Sequence, residues 1–163
     1  MIRGRDRLLG EFEALYVESF ASYVRVARAI TGDREQAVEA VQEGFARAMA
    51  ARASFRGASP LGAWVWRIIL NEARNQSRRP LSDAAYERGE AELPARAAEL
   101  APLISALPER QRHAIFLRYY ADLDYRTIAA VLDIEVGTVS ATLAAAHQRL
   151  RTALREQEVT AND

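Results

Sequence analysis

The sequence predicts an all-α protein: two small helical domains joined by a linker. Three observations carry this. Apolar residues recur at helical spacing in both halves of the chain. No stretch shows the alternation of a half-buried strand, and no repeat is visible. Between Pro80 and Leu93 the chain turns acidic, carries Gly89 and loses periodicity. With 163 residues, half of them apolar, it can bury one ordinary core or two small ones.

The first domain is expected over residues 1–79. From Phe12, apolar residues fall at Leu15, Tyr16, Phe20, Tyr23, Val24, Ala27 and Ile30, close to helical spacing. Gly32 suits the left-handed end of that helix. Asp33 can cap the next helix, with Gln36 as capping-box partner. That second helix would bury Ala37, Val38, Val41, Phe45 and Ala48. Gly57, Ser59 and Pro60 mark a loop. A third helix from about Leu61 would bury Trp64, Val65, Ile68 and Ile69, and present Arg67, Asn71, Arg74, Asn75, Arg78 and Arg79 on its other face.

Residues 80–93 read as an acidic linker, 94–155 as a second domain and 156–163 as an acidic tail. A helix from Pro94 to Ala106 opens the second domain, with Pro108 at the first turn of the next helix. Within residues 107–151 the pattern is a helix-turn-helix. A short helix, Tyr125 to Leu132, is followed by a tight turn, Asp133 to Glu135, and a longer helix from near Val136. Val136, Val139, Leu143, Ala146 and Leu150 form its inward stripe. Its outward positions are Ser140, Ala141, Thr142, Ala144, Ala145, His147 and Gln148, none of them a fixed cation.

Composition narrows the function. There is no Cys, which excludes disulfides, thiolate zinc sites and Cys nucleophiles. His113 and His147 lack metal-ligand spacing and read as surface or boundary residues. No nucleophile stands with a base, and no Gly-rich phosphate loop is present, so neither an enzyme nor a cofactor is expected. The N-terminal MIRGRDRLLGEF has no apolar segment of the secretory kind. No apolar run approaches the roughly 20 residues that span a bilayer. A cytoplasmic protein with no membrane partner is expected.

Charge is balanced overall but unevenly spread. Residues 1–79 hold 13 Arg against 9 acids, residues 106–155 hold 7 against 5, and the tail from Glu156 holds none against 3. A protein that binds DNA alone usually has a strongly basic domain. Here a larger partner is expected to supply part of the DNA affinity.

Some residues stand out by placement. Asn71, Arg74, Asn75, Arg78 and Arg79 share one helix face. Amides and guanidiniums on one stripe suit phosphates and base edges. A solvated Arg-rich helix end favouring the C-terminal dipole is the alternative. Trp64 and Trp66, two apart, face different directions. Periodicity puts Trp64 in the core and leaves Trp66 as a candidate stacking platform for an unpaired base.

Two motif sets then carry a resemblance. AVEAVQEGFARA (Ala37 to Ala48) is similar to A-E-D-L-V-Q-E-V-F-L-R-A; Gln42, Glu43, Phe45 and Arg47 match, and Glu39 stands where Asp is usual. LGAWVWRIILNEARNQSRR (Leu61 to Arg79) is similar to W-L-x-x-I-A-x-N-x-x-x-D-x-x-R-R; Trp64, Ile68, Asn71, Arg78 and Arg79 match, and Asn75 replaces Asp. Further on, LPERQR and Gly137-Thr138-Val139 match L-P-x-x-x-R and G-T-V. In this order and separation the motifs resemble bacterial RNA polymerase sigma factors of the extracytoplasmic-function group, over roughly residues 11–79 and 94–154.

The resemblance implies two helical domains, sigma region two and sigma region four, and a division of labour. Glu39, Gln42, Glu43 and Arg47 would dock core RNA polymerase. Phe55 and Arg56 in the loop, with Trp66, Arg67, Asn71, Arg74, Asn75, Arg78 and Arg79, would open and read the minus-ten element of promoter DNA. Arg126, Thr138, Ser140, Thr142, Gln148 and Arg149 would meet the minus-thirty-five duplex.

The chain departs from the family in the recognition helix. Ser140 stands for Lys, and Thr142, Ala145 and His147 stand for Arg. Glu135 replaces a capping Ser, and Asp133 replaces a turn Gly. Each lost phosphate contact flattens the salt dependence of binding by about 0.9 in log–log slope. Two readings follow. In one, the chain is a sigma factor with weak or atypical minus-thirty-five recognition. In the other, it is a sigma-like interaction module whose region four binds an anti-sigma or other regulatory protein.

Overall fold

The computed structural model describes residues 2–79 and 95–161, with side chains from residue 7 and from residue 99. The linker assigned to residues 80–93 lies outside the described residues. The chain divides into two compact units between Ala85 and Tyr86. Every regular element among the described residues is helical.

The first unit packs three helices: α1 (Ile2–Thr31), α2 (Arg34–Ala50) and α3 (Leu61–Ser77). α1 begins ten residues before Phe12, where the apolar pattern first becomes legible. Its opening turns are polar, and Arg7 and Glu11 support them with an i,i+4 pair at 3.0 Å. The α1–α2 corner forms as its residues dictate. Gly32 takes φ +76°, and the Asp33 carboxylate accepts the Gln36 N–H at 2.9 Å. α2 then crosses α3 with almost no space between backbones at Gly44. A Cβ there would lie 2.9 Å from Ile69 Cγ1 and 3.2 Å from its Cα, so only glycine fits. A short 3₁₀ turn, Arg52–Ser54, leads into the loop that Gly57 bends at φ +72°.

The core of this unit is aromatic. Tyr23 is fully buried, with its ring centroid 4.4 Å from Trp66 and 5.4 Å from Phe45. Burial pushes the Tyr23 phenol up to about 12, with the Ser19 hydroxyl pulling it partly back. The two tryptophans are the reverse of the periodicity argument. Trp66 is 3% exposed, whereas Trp64 is half-buried. The inward stripe of α3 runs through Ala63, Trp66, Leu70 and Ala73. Of the four residues expected inside, Val65 and Ile69 are buried and Trp64 and Ile68 only half-buried, because residues 61–70 are so nearly all apolar that two helical phases fit them. On α1, likewise, Val26 is buried and Val24 only partly.

The second unit comprises α4 (Ala95–Ser105), α5 (Glu109–Ile115), a π-helical turn (Phe116–Tyr120), α6 (Tyr125–Leu132) and α7 (Val136–Ala161). The π turn closes with the Ala121 N–H on the Phe116 carbonyl at 3.2 Å, and Asp122 follows at φ +52°. Asp124 caps α6 by accepting the Thr127 N–H at 2.7 Å. That contact, with Arg126 nearby, holds the Asp124 carboxyl below the usual carboxylate range. α6 ends on Asp133 in the left-handed region (φ 56°, ψ 50°), and α7 leaves at 94° to it. This is helix-turn-helix geometry at the expected positions.

Val139, Leu143 and Ala146 seal α7 onto the core as expected, but Val136 is exposed and Leu150 half-buried. A helix start leaves its first residue beyond the neighbours' reach. His113, expected at the surface or a boundary, is buried on α5. α7 also runs through Glu156 to Ala161 without a break, so the described part of the acidic tail continues the helix.

Candidate functional site

The exposed face of α2 carries Glu39, Gln42, Glu43 and Arg47. Spacing of three and four puts them on one side, opposite the buried Ala37, Ala40, Val41, Gly44 and Ala48. Arg47 makes one ion pair within α2 and one to α3, and Arg79, just past the end of α3, adds a second link. Arg47 Nε meets Glu43 Oε1 at 3.2 Å, and Arg47 Nη1 meets Glu72 Oε1 at 3.1 Å. Arg79 Nη1 reaches Glu39 Oε1 at 3.4 Å and the Gln76 side-chain oxygen at 3.2 Å.

The second face lies on α3 and the loop before it. Asn71, Asn75, Arg78 and Arg79 are exposed, and Arg67 and Arg74 half-buried. Phe55 leans on Trp64 with centroids 5.3 Å apart, and Trp64 meets Phe12 edge-on at 6.3 Å. Arg56 is exposed beside Phe55. Trp66 is the one residue of the expected minus-ten set that does not join this face. It is enclosed by Tyr23 and the α1–α3 core, so it cannot stack on a base without unfolding the unit. Half-buried Trp64 is the aromatic that reaches the loop.

In the second unit, Arg126, Thr138, Ser140, Gln148 and Arg149 are exposed. Thr142 is half-buried, and its hydroxyl donates to the Thr138 carbonyl at 2.7 Å, which uses its donor within the helix. His147 Nε2 lies 2.9 Å from the Tyr119 hydroxyl, and the Arg118 guanidinium sits 6.0 Å from that ring's centroid. From Val136 to Gln148, α7 has no arginine.

Comparison with known proteins decides the family. The pattern described as Sigma-70 region 2 matches residues 16–80, and Sigma-70, region 4 matches residues 97–150. The RNA polymerase sigma-H factor of Pseudomonas aeruginosa is 33% identical, across 76% of this chain and 75% of that protein. The chain belongs to the extracytoplasmic-function group of sigma factors. The ECF RNA polymerase sigma-E factor of Escherichia coli K12 is 37% identical, across 69% of this chain and 70% of its own. The fold is shared with CnrH, solved in complex with the cytosolic domain of CnrY, at TM-score 0.70 and 24% identity over 89% of this chain and 88% of that one. It is also shared with the sigma factor RpoE of Bartonella quintana, solved in complex with the anti-sigma factor NepR. There the TM-score is 0.57 and identity 23%, over 95% and 98%.

As a sigma factor, the chain is a promoter-directing transcription initiation factor. Sequence reasoning missed two of the residues that shape its candidate interfaces. Glu72 looked like one more polar position on α3, yet it is buried and paired with Arg47. Its spacing from Ile69 and Gln76, three and four, was the available signal. Tyr119, 58% exposed and bonded to His147, gave no signal because the π turn shifts its register.

Proposed function

We propose that this sigma factor docks core RNA polymerase through the α2 face and opens promoter DNA through the loop and α3 face of the same three-helix unit. Glu39, Gln42, Glu43 and Arg47 meet the polymerase. Phe55, Arg56, Arg67, Asn71, Arg74, Asn75, Arg78 and Arg79 meet the minus-ten DNA. The observation that carries the reading is adjacency. Two exposed polar faces, one mixed in charge and one basic, lie side by side and share the Glu39–Arg79 pair. Binding the polymerase and the DNA on neighbouring faces of one rigid unit fixes their relative geometry. The work is cytoplasmic and needs no catalytic group of the chain's own.

The α7 face of region four contributes weakly to minus-thirty-five recognition. Ser140, Gln148 and Thr138 offer hydrogen bonds, and Arg126 and Arg149 the remaining cations. A specific observation favours a second role for it. The exposed stretch Ser140, Ala141, Ala144 and Ala145 is uncharged, so it offers nothing to a phosphate and no charge that a packed regulatory protein would have to desolvate. One of the solved structures named above holds a sigma factor with an anti-sigma factor bound.

Run-off transcription with core polymerase reconstituted from purified subunits tests the proposal. Promoter-dependent transcripts are expected on addition of the full chain. A chain that binds core polymerase but yields no promoter-dependent transcript would sink the promoter-opening role.

A further inference from the structure

We infer that Glu72 is the positioning residue of the polymerase-docking face, holding Arg47 ready from beneath. The inference deepens the docking reading above and rests on it. Glu72 sits inside the packed side of α3, with 7% of its side chain exposed. A carboxylate at that depth is costly unless paired. Its partner is the Arg47 guanidinium, which also holds Glu43 on its own helix. One planar fork therefore bridges a buried carboxylate on α3 and an exposed one on α2, which a lysine ammonium would do poorly.

The consequence concerns order. A surface Arg with only an i,i+4 partner keeps most of its rotamer freedom and must lose it on binding. Arg47 is anchored at a second point that cannot move, because Glu72 is locked in the core. The Arg47 side chain, 58% exposed, is thus presented in one place before a partner arrives. Glu72 itself touches no partner; it acts only through Arg47.

The test is a double-mutant cycle on the affinity of the full chain for core RNA polymerase, read by fluorescence anisotropy, with thermal unfolding of each variant alongside. Glu72→Gln should weaken binding about fivefold. In an Arg47→Gln background the same substitution should change affinity less than twofold, because no guanidinium is left to position. Glu72→Leu, which leaves no buried polar group, should repeat the pattern if the Gln variant folds poorly. Arg47→Lys, which leaves a cation beside Glu72, should lose about threefold because it keeps the charge but not the fork. Equal losses for the Glu72 variants in both backgrounds, or full affinity for Glu72→Leu and Arg47→Lys, would overturn the inference. Gln42→Ala with Glu43→Ala separates the two levels. Unchanged affinity there overturns the docking reading and Glu72's role with it. Lost affinity there without coupling between residues 47 and 72 overturns Glu72's role alone.

Discussion

α3 and α7 are both candidate DNA-facing helices, and they differ in almost everything but helicity. α3 carries exposed Asn71 and Asn75 and half-buried Arg74, and exposed Arg78 and Arg79 follow its last turn. The first half of α7 presents Ser140, Ala141, Ala144, Ala145 and Gln148. Yet the scaffold around α7 is intact: an Asp124 cap, a left-handed turn at Asp133, a 94° crossing and a sealed inner stripe. Packing and charge are thus separable. The apolar stripe dictates where a helix lies, and the exposed side chains are then free to change without unfolding anything. Phosphate contacts supply most non-specific DNA affinity, so the proposed reading puts most of that affinity in the first unit.

The largest effect should come from removing that concentration. Arg78→Ala with Arg79→Ala takes two charge-assisted contacts from the α3 face, each worth about 1.5–3 kcal/mol. Open-complex formation should fall about a hundredfold, with core polymerase binding within threefold of normal. Permanganate reactivity of the promoter bubble is the readout. A normal bubble would break the comparison by showing that the basic stripe faces only solvent.

Next is the core that holds the α3 face in place. The phenol of Tyr23 is raised to about 12 against an ordinary 10. A raised value means that the folded state holds the proton more tightly than the unfolded chain. The stabilisation is therefore complete below pH 10 and is lost as pH rises from about 10 to about 12. Two units correspond to about 2–3 kcal/mol. Both tryptophans of the chain lie in the first unit, so tryptophan emission, excited selectively, reports that unit. Urea titrations should show its stability falling over that range. Tyr23→Phe should show a shallower fall, and an equal fall in the variant would remove Tyr23 as the cause.

How much of this was legible in the sequence follows from the kind of signal each feature left. The helix-turn-helix was readable because punctuation brackets it: Asp124 before, Asp133 after, and a clean inward stripe beyond. The α3 face was readable because its arginines and asparagines recur at three and four, a polar stripe that the apolar stripe opposes. Trp66 was not readable, since an unbroken apolar run from Leu61 to Leu70, with Arg67 as its one charged residue, fits two phases. Glu72 was hidden for a related reason. A carboxylate reads as surface until a partner on another helix is known, and the Arg47–Glu72 pair spans 25 positions of sequence. Tertiary pairing of that kind leaves no local trace.

A smaller effect should follow from giving α7 the charge it lacks. Ser140→Lys, Thr142→Arg and Ala145→Arg place three cations on the outward side without touching Val139, Leu143 or Ala146. Affinity of the full chain for a minus-thirty-five duplex should rise about tenfold near physiological salt. The log–log salt slope should steepen by up to about 2.7, at roughly 0.9 per contact. An unchanged slope would mean that this side of α7 does not face DNA, which favours the protein-binding role.

The smallest expected effect is at the turn between α6 and α7. Asp133 holds φ 56° and ψ 50°, a conformation that costs an ordinary L-residue about 1–2 kcal/mol and Asp less, since its short side chain bonds locally. Asp133→Gly removes that cost but adds the extra entropy that glycine loses on folding, about 0.5–1 kcal/mol. The two nearly cancel, so unfolding free energy should move by no more than about 0.5 kcal/mol. What remains is charge. The substitution deletes an anion one turn before the outward face of α7, at a range that physiological salt largely screens over about 8 Å. Duplex affinity should rise about twofold at low salt, and the gain should vanish as salt increases. Asp133→Asn deletes the same charge while keeping a residue that tolerates the left-handed region, so the two variants should gain equally. A gain from Gly alone would assign the effect to turn geometry. No gain from either would place the turn away from the DNA, and the lack of cations on α7 would then carry no penalty there.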